Sequence, residues 1–307
     1  MSGKIRFAPS PTGYLHEGHL LSALYVWAAA KKWDLKIHLR IEDHDQSRAR
    51  PAYIAGIRED LAWLGFKYDS ESIQSARGPI YEAALQKLVD KSLVYPCYCS
   101  RKQLLAENPQ SETGEIIYQG KCKHLVILSE AIRHPERSEG SSEVLSSNSA
   151  PHNLRFIVPN KFIDWHDLRL GDFHENPKLQ CGDFPIRDRD NQWTYQFAVC
   201  VDDIDEQITH IVRGEDIRNS TARQIALMET LGRKERAVYL HHPLIVDDNN
   251  KKLSKRELAH SLRQDKEAGI TPEMLFGRVC HKAHLTETDS PITLIDAISI
   301  IMDQIPT

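Results

Sequence analysis

The stretch from Ile5 to His19 constrains the fold of this chain more than any other. It starts with a short β-rich run, continues through a Pro- and Gly-rich turn, and ends in His16-Glu17-Gly18-His19 ahead of an apolar helical pattern. A strand, a tight turn and a helix start bring free backbone N–H groups and the positive end of the helix dipole to one point. The stretch therefore predicts a phosphate-binding site at the start of a helix.

Two imidazoles, His16 and His19, lie one helical turn apart at this predicted helix start. They are able to hydrogen-bond phosphate oxygens, and would bind more strongly as negative charge accumulates there. The same side chains are also able simply to cap a helix, so the pattern alone leaves both roles open. A cationic segment near the other end of the chain, Lys252-Leu253-Ser254-Lys255-Arg256, favours the phosphate-binding role.

The two segments resemble the two signature motifs of class I aminoacyl-tRNA synthetases, His-x-Gly-His and a Lys-Leu-Ser-Lys form of the second motif. The residues around them are similar to the glutamyl branch of that family, and the resemblance extends from Ile5 to Arg256. The matching segments are Phe7-Ala8-Pro9-Ser10-Pro11-Thr12-Gly13, Leu39-Arg40-Ile41-Glu42-Asp43 with Asp45 and Arg48, and Val212-Arg213-Gly214-Glu215-Asp216.

The order of the first elements predicts the fold class. Strand, helix, strand and helix follow one another within the first 65 residues, which favours a parallel sheet and an α/β fold. Ala8–Ser10 and Glu42–Asp43 follow two of these strands, at the sheet edge where such folds bind ligands. With the resemblance, we expect a Rossmann-like parallel-sheet class I synthetase catalytic core, an inserted zinc-bearing region and a short helical C-terminal part.

Changes in pattern along the chain suggest its division into parts. We predict the first half of the catalytic domain over residues 1–95, a zinc-bearing insertion over 96–180 and the second half of the catalytic domain over 181–246. The Lys-Leu-Ser-Lys loop and a short helical tail would occupy 247–307. Within the insertion, the Ser- and Glu-rich stretch 126–152 lacks periodicity and is predicted to be a mobile loop.

Activation of an amino acid by ATP needs groups that position the reactants and stabilise phosphate charge, and it needs no acid or base. The resemblance implies that His16, His19 and Lys255 supply these groups, with Mg²⁺ as the counterion of ATP. Glu17 departs from the family motif, which has an apolar residue there, and its carboxylate would weaken ATP binding unless it points away. The implied ATP-binding residues are His16, Gly18, His19, Lys252, Ser254 and Lys255.

A bound glutamate needs a cation for each carboxylate and an anion for its ammonium group. Arg6 and Arg213 at predicted strand ends, together with Glu42, satisfy this charge count. Taken alone, Arg6 would instead be assigned to the surface of a strand. The resemblance adds Ala8, Ser10 and Tyr195 to the implied glutamate pocket.

Cys97-x-Cys99 followed by Tyr118-x-x-x-Cys122 suggests a structural zinc site, because three thiolates and one further ligand complete a tetrahedral set. The chemistry of zinc favours His124 as the fourth ligand, whereas the resemblance implies Tyr118. The alternative is three buried thiols that bind no metal.

Composition limits the remaining possibilities. The chain has 307 residues, of which 41% are hydrophobic and 27% charged, as in ordinary globular proteins, and no apolar run of membrane-spanning length. A net charge of −4 argues against a general nucleic-acid binder. Six cysteines without a secretory signal favour reduced thiols. We expect a cytoplasmic monomer with no membrane partner.

Within the glutamyl branch, the length, the cysteine pattern and the short tail resemble the glutamyl-Q tRNA(Asp) synthetases. That resemblance implies a ligase whose partners are glutamate, ATP and tRNA(Asp) bearing queuosine, with the glutamyl group placed on that anticodon base. Three alternatives stay open: a truncated synthetase that charges a tRNA 3′ end, a catalytically silent synthetase-like RNA-binding protein, and a nucleotidyltransferase that joins another acid to AMP.

Overall fold

A seven-stranded mixed sheet forms the centre of the protein. The computed structural model describes residues 3–111, 114–123, 151–245 and 260–306. The strands of this sheet are β1 Lys4–Phe7, β2 Lys36–Ile41, β3 Ser70–Ile73, β6 Ile163–Asp167, β7 Gly171–Glu175, β9 His210–Gly214 and β10 Val238–His242. They lie in the order β3-β2-β1-β9-β10-β6-β7, and every pairing is parallel except that of β6 with β7. The predicted α/β class with a parallel core is confirmed, and the antiparallel edge hairpin is an addition to it.

Helices cover both faces of the sheet and form the C-terminal part. They are α1 Glu17–Trp33, α2 Pro51–Trp63, α3 Gly78–Asp90, α4 Arg101–Glu107, α5 Pro177–Cys181, α6 Tyr195–Asp205, α7 Thr221–Thr230, α8 Leu262–Glu267, α9 Pro272–Lys282 and α10 Leu294–Gln304. The described residues after position 260 contain only α8, α9 and α10, so this part is helical as predicted. No helix within the described residues is long and apolar enough to cross a membrane.

Helix α1 is buried along most of its length, which explains its nearly continuous apolar sequence. Its residues 20–30, apart from Ser22, are almost inaccessible to solvent. One side packs on β1 and β9, and the other side packs on α9 and α10. Helices that pack on both sides need no polar face. The start of α1 is thereby held rigidly at the carboxyl end of β1.

A second, smaller sheet holds the cysteine-bearing region. Its strands β4 Val94–Cys97, β5 Asn153–Phe156 and β8 Pro185–Arg187 pair antiparallel in that order. The apolar residues of this sheet pack against α3 and α6 in a separate core cluster.

The two sheets do not divide the chain at the boundaries expected from the sequence. Strands β6 and β7 fall within the range 96–180, which we assigned to the insertion, yet they belong to the seven-stranded sheet. Strand β8 lies beyond residue 180 and joins the small sheet. Long-range strand pairing decides this arrangement, and composition carries no signal for it. The domain limits themselves stay predictions, and the expected loop 126–152 lies, as far as residue 150, outside the described residues.

Candidate active site

A cavity of about 760 Å³ lies at the carboxyl edge of the parallel strands. It is bounded by the end of β1 and the turn after it, the start of α1, the end of β2, the end of β9 and the start of α6. The predicted ATP and glutamate residues that the structure describes all line it, namely Arg6, Ala8, Ser10, His16, Gly18, His19, Glu42, Tyr195 and Arg213. Lys252, Ser254 and Lys255 lie outside the described residues.

His16 and His19 cap α1 and line the cavity at the same time. The backbone N–H of Gly18 donates to Nδ1 of His16 at 3.1 Å, and the backbone N–H of His16 donates to Nδ1 of His19 at 3.2 Å. A neutral imidazole whose Nδ1 accepts a hydrogen bond carries its proton on Nε2. Each ring is therefore able to donate one hydrogen bond from Nε2, so capping and phosphate binding are compatible.

The two rings are neutral hydrogen-bond donors rather than cations. Burial lowers the pKa of His19 to about 3 and also lowers the pKa of His16. Gly18 allows the ring of His16 to lie close to the helix, because a Cβ at this position would be 3.0 Å from Cε1 of His16. The helix start thus offers N–H groups without charge, and the positive charge for a phosphate has to come from elsewhere.

Arg213 is a buried cation that has no anionic partner in the described chain. Its guanidinium donates to Nε2 of His241 at 3.0 Å, to the Gln224 side-chain oxygen at 2.6 Å and to the Thr221 hydroxyl at 2.8 Å. All three acceptors are uncharged, and no described carboxylate lies within ion-pair distance. Burial of an uncompensated charge is costly. The cavity therefore presents a positive charge that a carboxylate ligand would neutralise.

Glu42 provides the matching carboxyl group, which is buried at the same cavity and incompletely paired. The residue is only 4% exposed, and its Oε1 has no hydrogen-bond partner among the residues that the structure describes. Nη1 of Arg40 is 3.7 Å from Oε1 and likewise makes no hydrogen bond. Burial raises the pKa of Glu42 to about 7. An ammonium group in the cavity would restore both the hydrogen bond and the ionised form.

Arg6 is buried beneath the cavity and is not a surface strand residue. Its Nε donates to Oδ1 of Asp203 at 3.1 Å, and its Nη1 donates to the carbonyl oxygen of Val212 at 3.3 Å. Asp203 also accepts a 2.7 Å hydrogen bond from Arg40. Asp203 therefore holds two guanidiniums, and Arg40 is also paired with Glu206, so the charge of Arg6 is already partly neutralised within a buried network.

Several residues that support the site were missed in the sequence. Asp203 belongs to an acidic run in α6, and the burial of these carboxylates was the missing information. His241 links Arg213 to Asp167, whose Oδ2 is 2.7 Å from Nδ1 of His241. His242 stacks on Tyr25 and lines the cavity, with its buried Nε2 unpaired in the described chain. Both histidines lie at the end of β10, at the cavity edge.

A second constellation lies in the small-sheet region. The Sγ atoms of Cys97, Cys99 and Cys122 lie within 4.8 Å of one another, and all three residues are buried. The hydroxyl of Tyr118 is 3.5 Å from Sγ of Cys97 and 3.7 Å from Sγ of Cys99. The three thiols form a cluster that could hold a metal ion, and the Tyr118 hydroxyl lies beside it, where it also accepts from the backbone N–H of Cys122 at 2.9 Å. His124 lies outside the described residues.

Comparison with known proteins assigns the family. The model of the family described as "tRNA synthetases class I (E and Q), catalytic domain" matches residues 4–300 of this chain. This chain belongs to that family. Membership confirms the resemblance to the glutamyl branch of class I synthetases and the class I type of the α/β core, whereas the roles of the individual cavity residues stay predictions.

Relatives of two names are similar to this chain. It is 38% identical over 280 residues to a glutamate–tRNA ligase of Aquifex aeolicus, a match that covers 90% of this chain and 56% of that protein. It is 36% identical over 292 residues to a glutamyl-Q tRNA(Asp) synthetase of Neisseria gonorrhoeae, covering 95% of this chain and 92% of that one. The chain thus spans about half of the first relative and most of the second.

A solved structure shares the fold. The crystal structure of a glutamate tRNA ligase from Elizabethkingia meningosepticum CCUG26117, in complex with its amino acid, superposes with a TM-score of 0.74 at 25% sequence identity. The superposition covers 97% of this chain and 64% of that one. The fold of the described residues is therefore shared with that glutamate tRNA ligase over the superposed part.

Proposed function

We propose that this chain is a ligase that activates glutamate with ATP and transfers the glutamyl group to the queuosine base in the anticodon of tRNA(Asp). The observation that supports the activation of glutamate is that Arg213 and Glu42 line the same cavity as two separate charged groups. One is a buried cation without a described anion, the other is a buried anion with an unpaired oxygen, and both line one cavity. Such a pair is complementary to an amino acid.

Glutamate satisfies the charges of this cavity better than a neutral amino acid. Its ammonium group would pair with Glu42, and its two carboxylates would have the guanidiniums of Arg213 and Arg6 as partners. Asp203 already accepts from Arg6, so Arg6 contributes only part of its hydrogen-bonding capacity. Tyr195, Ala8 and Ser10 line the same cavity and would restrict the position of the side chain.

In the activation step, a carboxylate oxygen of glutamate attacks the α-phosphorus of ATP. The new oxygen–phosphorus bond forms as the bond to pyrophosphate breaks, and no proton has to move. Nε2–H groups of His16 and His19 would donate to phosphate oxygens, whose charge increases in the transition state. Mg²⁺ bound to ATP supplies positive charge, and we expect Lys252, Ser254 and Lys255 to contribute further contacts.

The choice of queuosine as the acceptor is supported by the relatives named glutamyl-Q tRNA(Asp) synthetase, which this chain matches over 92% of their length. Anticodon loops present unstacked bases that a protein is able to hydrogen-bond along their edges. The competing candidate is transfer to the 3′ end of a tRNA. The sequence identity of 38% to a glutamate–tRNA ligase supports transfer to a tRNA 3′ end about as strongly as the other relatives support queuosine.

We further propose that Cys97, Cys99, Tyr118 and Cys122 hold a structural zinc ion. The support is the convergence of three thiols and a phenol in one buried cluster. Bound zinc would tie the end of β4 to the segment 118–122. No step of the reaction runs through this ion.

The experiment that tests the function follows labelled glutamate from the purified enzyme and ATP onto tRNA(Asp). The tRNA is prepared with and without queuosine, and each preparation is used with its 3′ end intact or trimmed. Glutamate-dependent exchange of pyrophosphate into ATP is measured alongside, as the readout of activation alone.

Each outcome separates two of the candidates. Label that requires queuosine and survives trimming of the 3′ end supports the proposal. Label that disappears after trimming and is independent of queuosine supports charging of a tRNA 3′ end. Absence of both exchange and transfer would overturn the proposal in favour of a silent binding protein, and exchange with another acid in place of glutamate would indicate a different nucleotidyltransferase.

A further inference from the structure

Glu17 is the one charged residue between the two histidines of the helix start. It occupies the first position of α1, between the two imidazoles that would donate to a phosphate. A carboxylate in the first turn of a helix is attracted to the same positive dipole end as an anionic ligand. Left without a partner, Glu17 would therefore compete with ATP and repel it.

The structure shows two cations on Glu17. Its Oε1 is 2.7 Å from Nε of Arg278, and its Oε2 accepts from Nζ of Lys282 at 2.7 Å. The Glu17 side chain is 13% exposed, whereas Arg278 and Lys282 are 29% and 42% exposed, so this contact is partly shielded from water. Arg278 and Lys282 are four residues apart on α9, which places them on one face of that helix. The carboxylate thus turns to α9, and only Gly18 and the two histidines of the motif line the cavity.

The contact continues from α9 towards the chain that follows the Lys-Leu-Ser-Lys segment. Nη2 of Arg278 is 2.8 Å from Oδ1 of Asp265, and the same Oδ1 is 3.1 Å from Nε2 of His260. In parallel, the backbone N–H of Leu262 donates to the carbonyl oxygen of Leu15 at 2.8 Å. The start of α1 is therefore tied to α8 and α9 by ion pairs and by a backbone hydrogen bond.

We propose that Arg278 and Lys282 are positioning residues for ATP, because they hold the Glu17 carboxylate away from the phosphate site and neutralise its charge. The proposal rests on the proposed function, since it assumes that ATP phosphates bind at the start of α1. In this protein the C-terminal helices contribute directly to the binding site at the other end of the sequence. The carboxylate that departs from the family motif and the cations on α9 form one unit.

The test removes the cations and then removes the charge that they neutralise. In R278M/K282M the long apolar stems are kept and the positive charges are lost, so the Glu17 carboxylate is left uncompensated beside the site. We expect the KM for ATP to rise about tenfold, the order of magnitude for one uncompensated charge near a protein surface. The KM for glutamate and the kcat of pyrophosphate exchange should change little.

Restoration by a third substitution distinguishes positioning from simple loss of structure. Adding E17Q to R278M/K282M removes the offending charge, and the KM for ATP should return to within about twofold of the wild-type value. The matched control is R58M/K161M, which removes one arginine and one lysine from the exposed ion pairs with Glu71 and Glu229. Neither control residue lines the cavity, and this variant should keep the wild-type KM.

The dissociation constant of ATP, measured by equilibrium dialysis without glutamate, gives a readout besides turnover. An unchanged dissociation constant in R278M/K282M, or a triple variant as weak as the double, would overturn the inference while leaving the proposed function intact. A wild-type enzyme that neither binds ATP nor exchanges pyrophosphate would instead overturn the proposed function itself. The two failures are thereby distinguishable.

Discussion

Replacing Glu42 with glutamine should make the protein more stable at alkaline pH while weakening glutamate binding. Burial raises the pKa of this carboxyl from 4.5 to about 7, so the folded state disfavours its ionised form. The residue is 4% exposed, and solvent screens the effect little. A raised pKa adds stability at low pH, and that stability is lost as the pH rises through the folded-state pKa.

The magnitude follows from the two pKa values. With one pKa unit equal to about 1.4 kcal/mol, the ionised Glu42 lowers the free energy of unfolding by about 3 kcal/mol at pH 8 and by less than about 1 kcal/mol at pH 5. E42Q has no charge to bury and so escapes this cost. We therefore expect E42Q to exceed the wild type in urea-unfolding free energy by a few kcal/mol at pH 8, and by much less at pH 5.

Glu206 provides a control of opposite sign in the same buried cluster. Burial alone would raise its pKa, but the hydrogen bond with His38 and the charge of Arg40 outweigh burial and lower it. E206Q should consequently be less stable than the wild type at pH 8. If E42Q were also less stable at pH 8, the ionised Glu42 would be stabilised by its neighbours within the protein, and its assignment to the ammonium group of glutamate would lose its basis.

Three further predictions concern the cavity and the cluster of Cys97, Cys99 and Cys122. H241L removes the acceptor of the Arg213 Nε–H, so the KM for glutamate in pyrophosphate exchange should rise about tenfold or more. H241N keeps an acceptor, so its KM for glutamate should rise less. Equal KM values for both variants and the wild type would contradict this role of His241. The KM for glutamate in the wild type should rise as the pH falls below about 7, because protonated Glu42 no longer attracts an ammonium group. E42Q should show no such dependence, and the same pH dependence of KM in E42Q and the wild type would refute the role of Glu42. We expect one zinc ion per chain, measured by elemental analysis, and C122S should lose it. C181S should keep the zinc, because the buried Cys181 thiol donates to the carbonyl oxygen of Pro177 outside the cluster. Zinc retained in C122S would exclude the proposed ligand set.

The parts of the site that are local in the chain were predictable from the sequence. The strand, helix, strand and helix predicted for the first 65 residues are observed as β1, α1, β2 and α2, and β1, its turn and α1 follow the order that Ile5 to His19 indicates. Local patterns of turn residues and apolar spacing carry this information, because a few neighbouring residues form each element. Cys97, Cys99 and Cys122 could likewise be grouped by spacing alone.

Pairings between distant segments were beyond the sequence. The separation of β6 and β7 from the small sheet depends on which strands meet in space. The partners of Glu17 on α9 are more than 250 residues away in the chain, since Lys282 is 265 positions from it.

The sequence by itself thus determined which charges this protein has available for a glutamate and for a nucleotide. Only the tertiary structure decided which of those charges are already neutralised. Arg6 is paired with Asp203, and Glu17 with Arg278, whereas Arg213 has no anion in the described chain. The physical reason is that burial makes the free energy of a charge depend on its nearest neighbours in space, and those neighbours come from other parts of the chain.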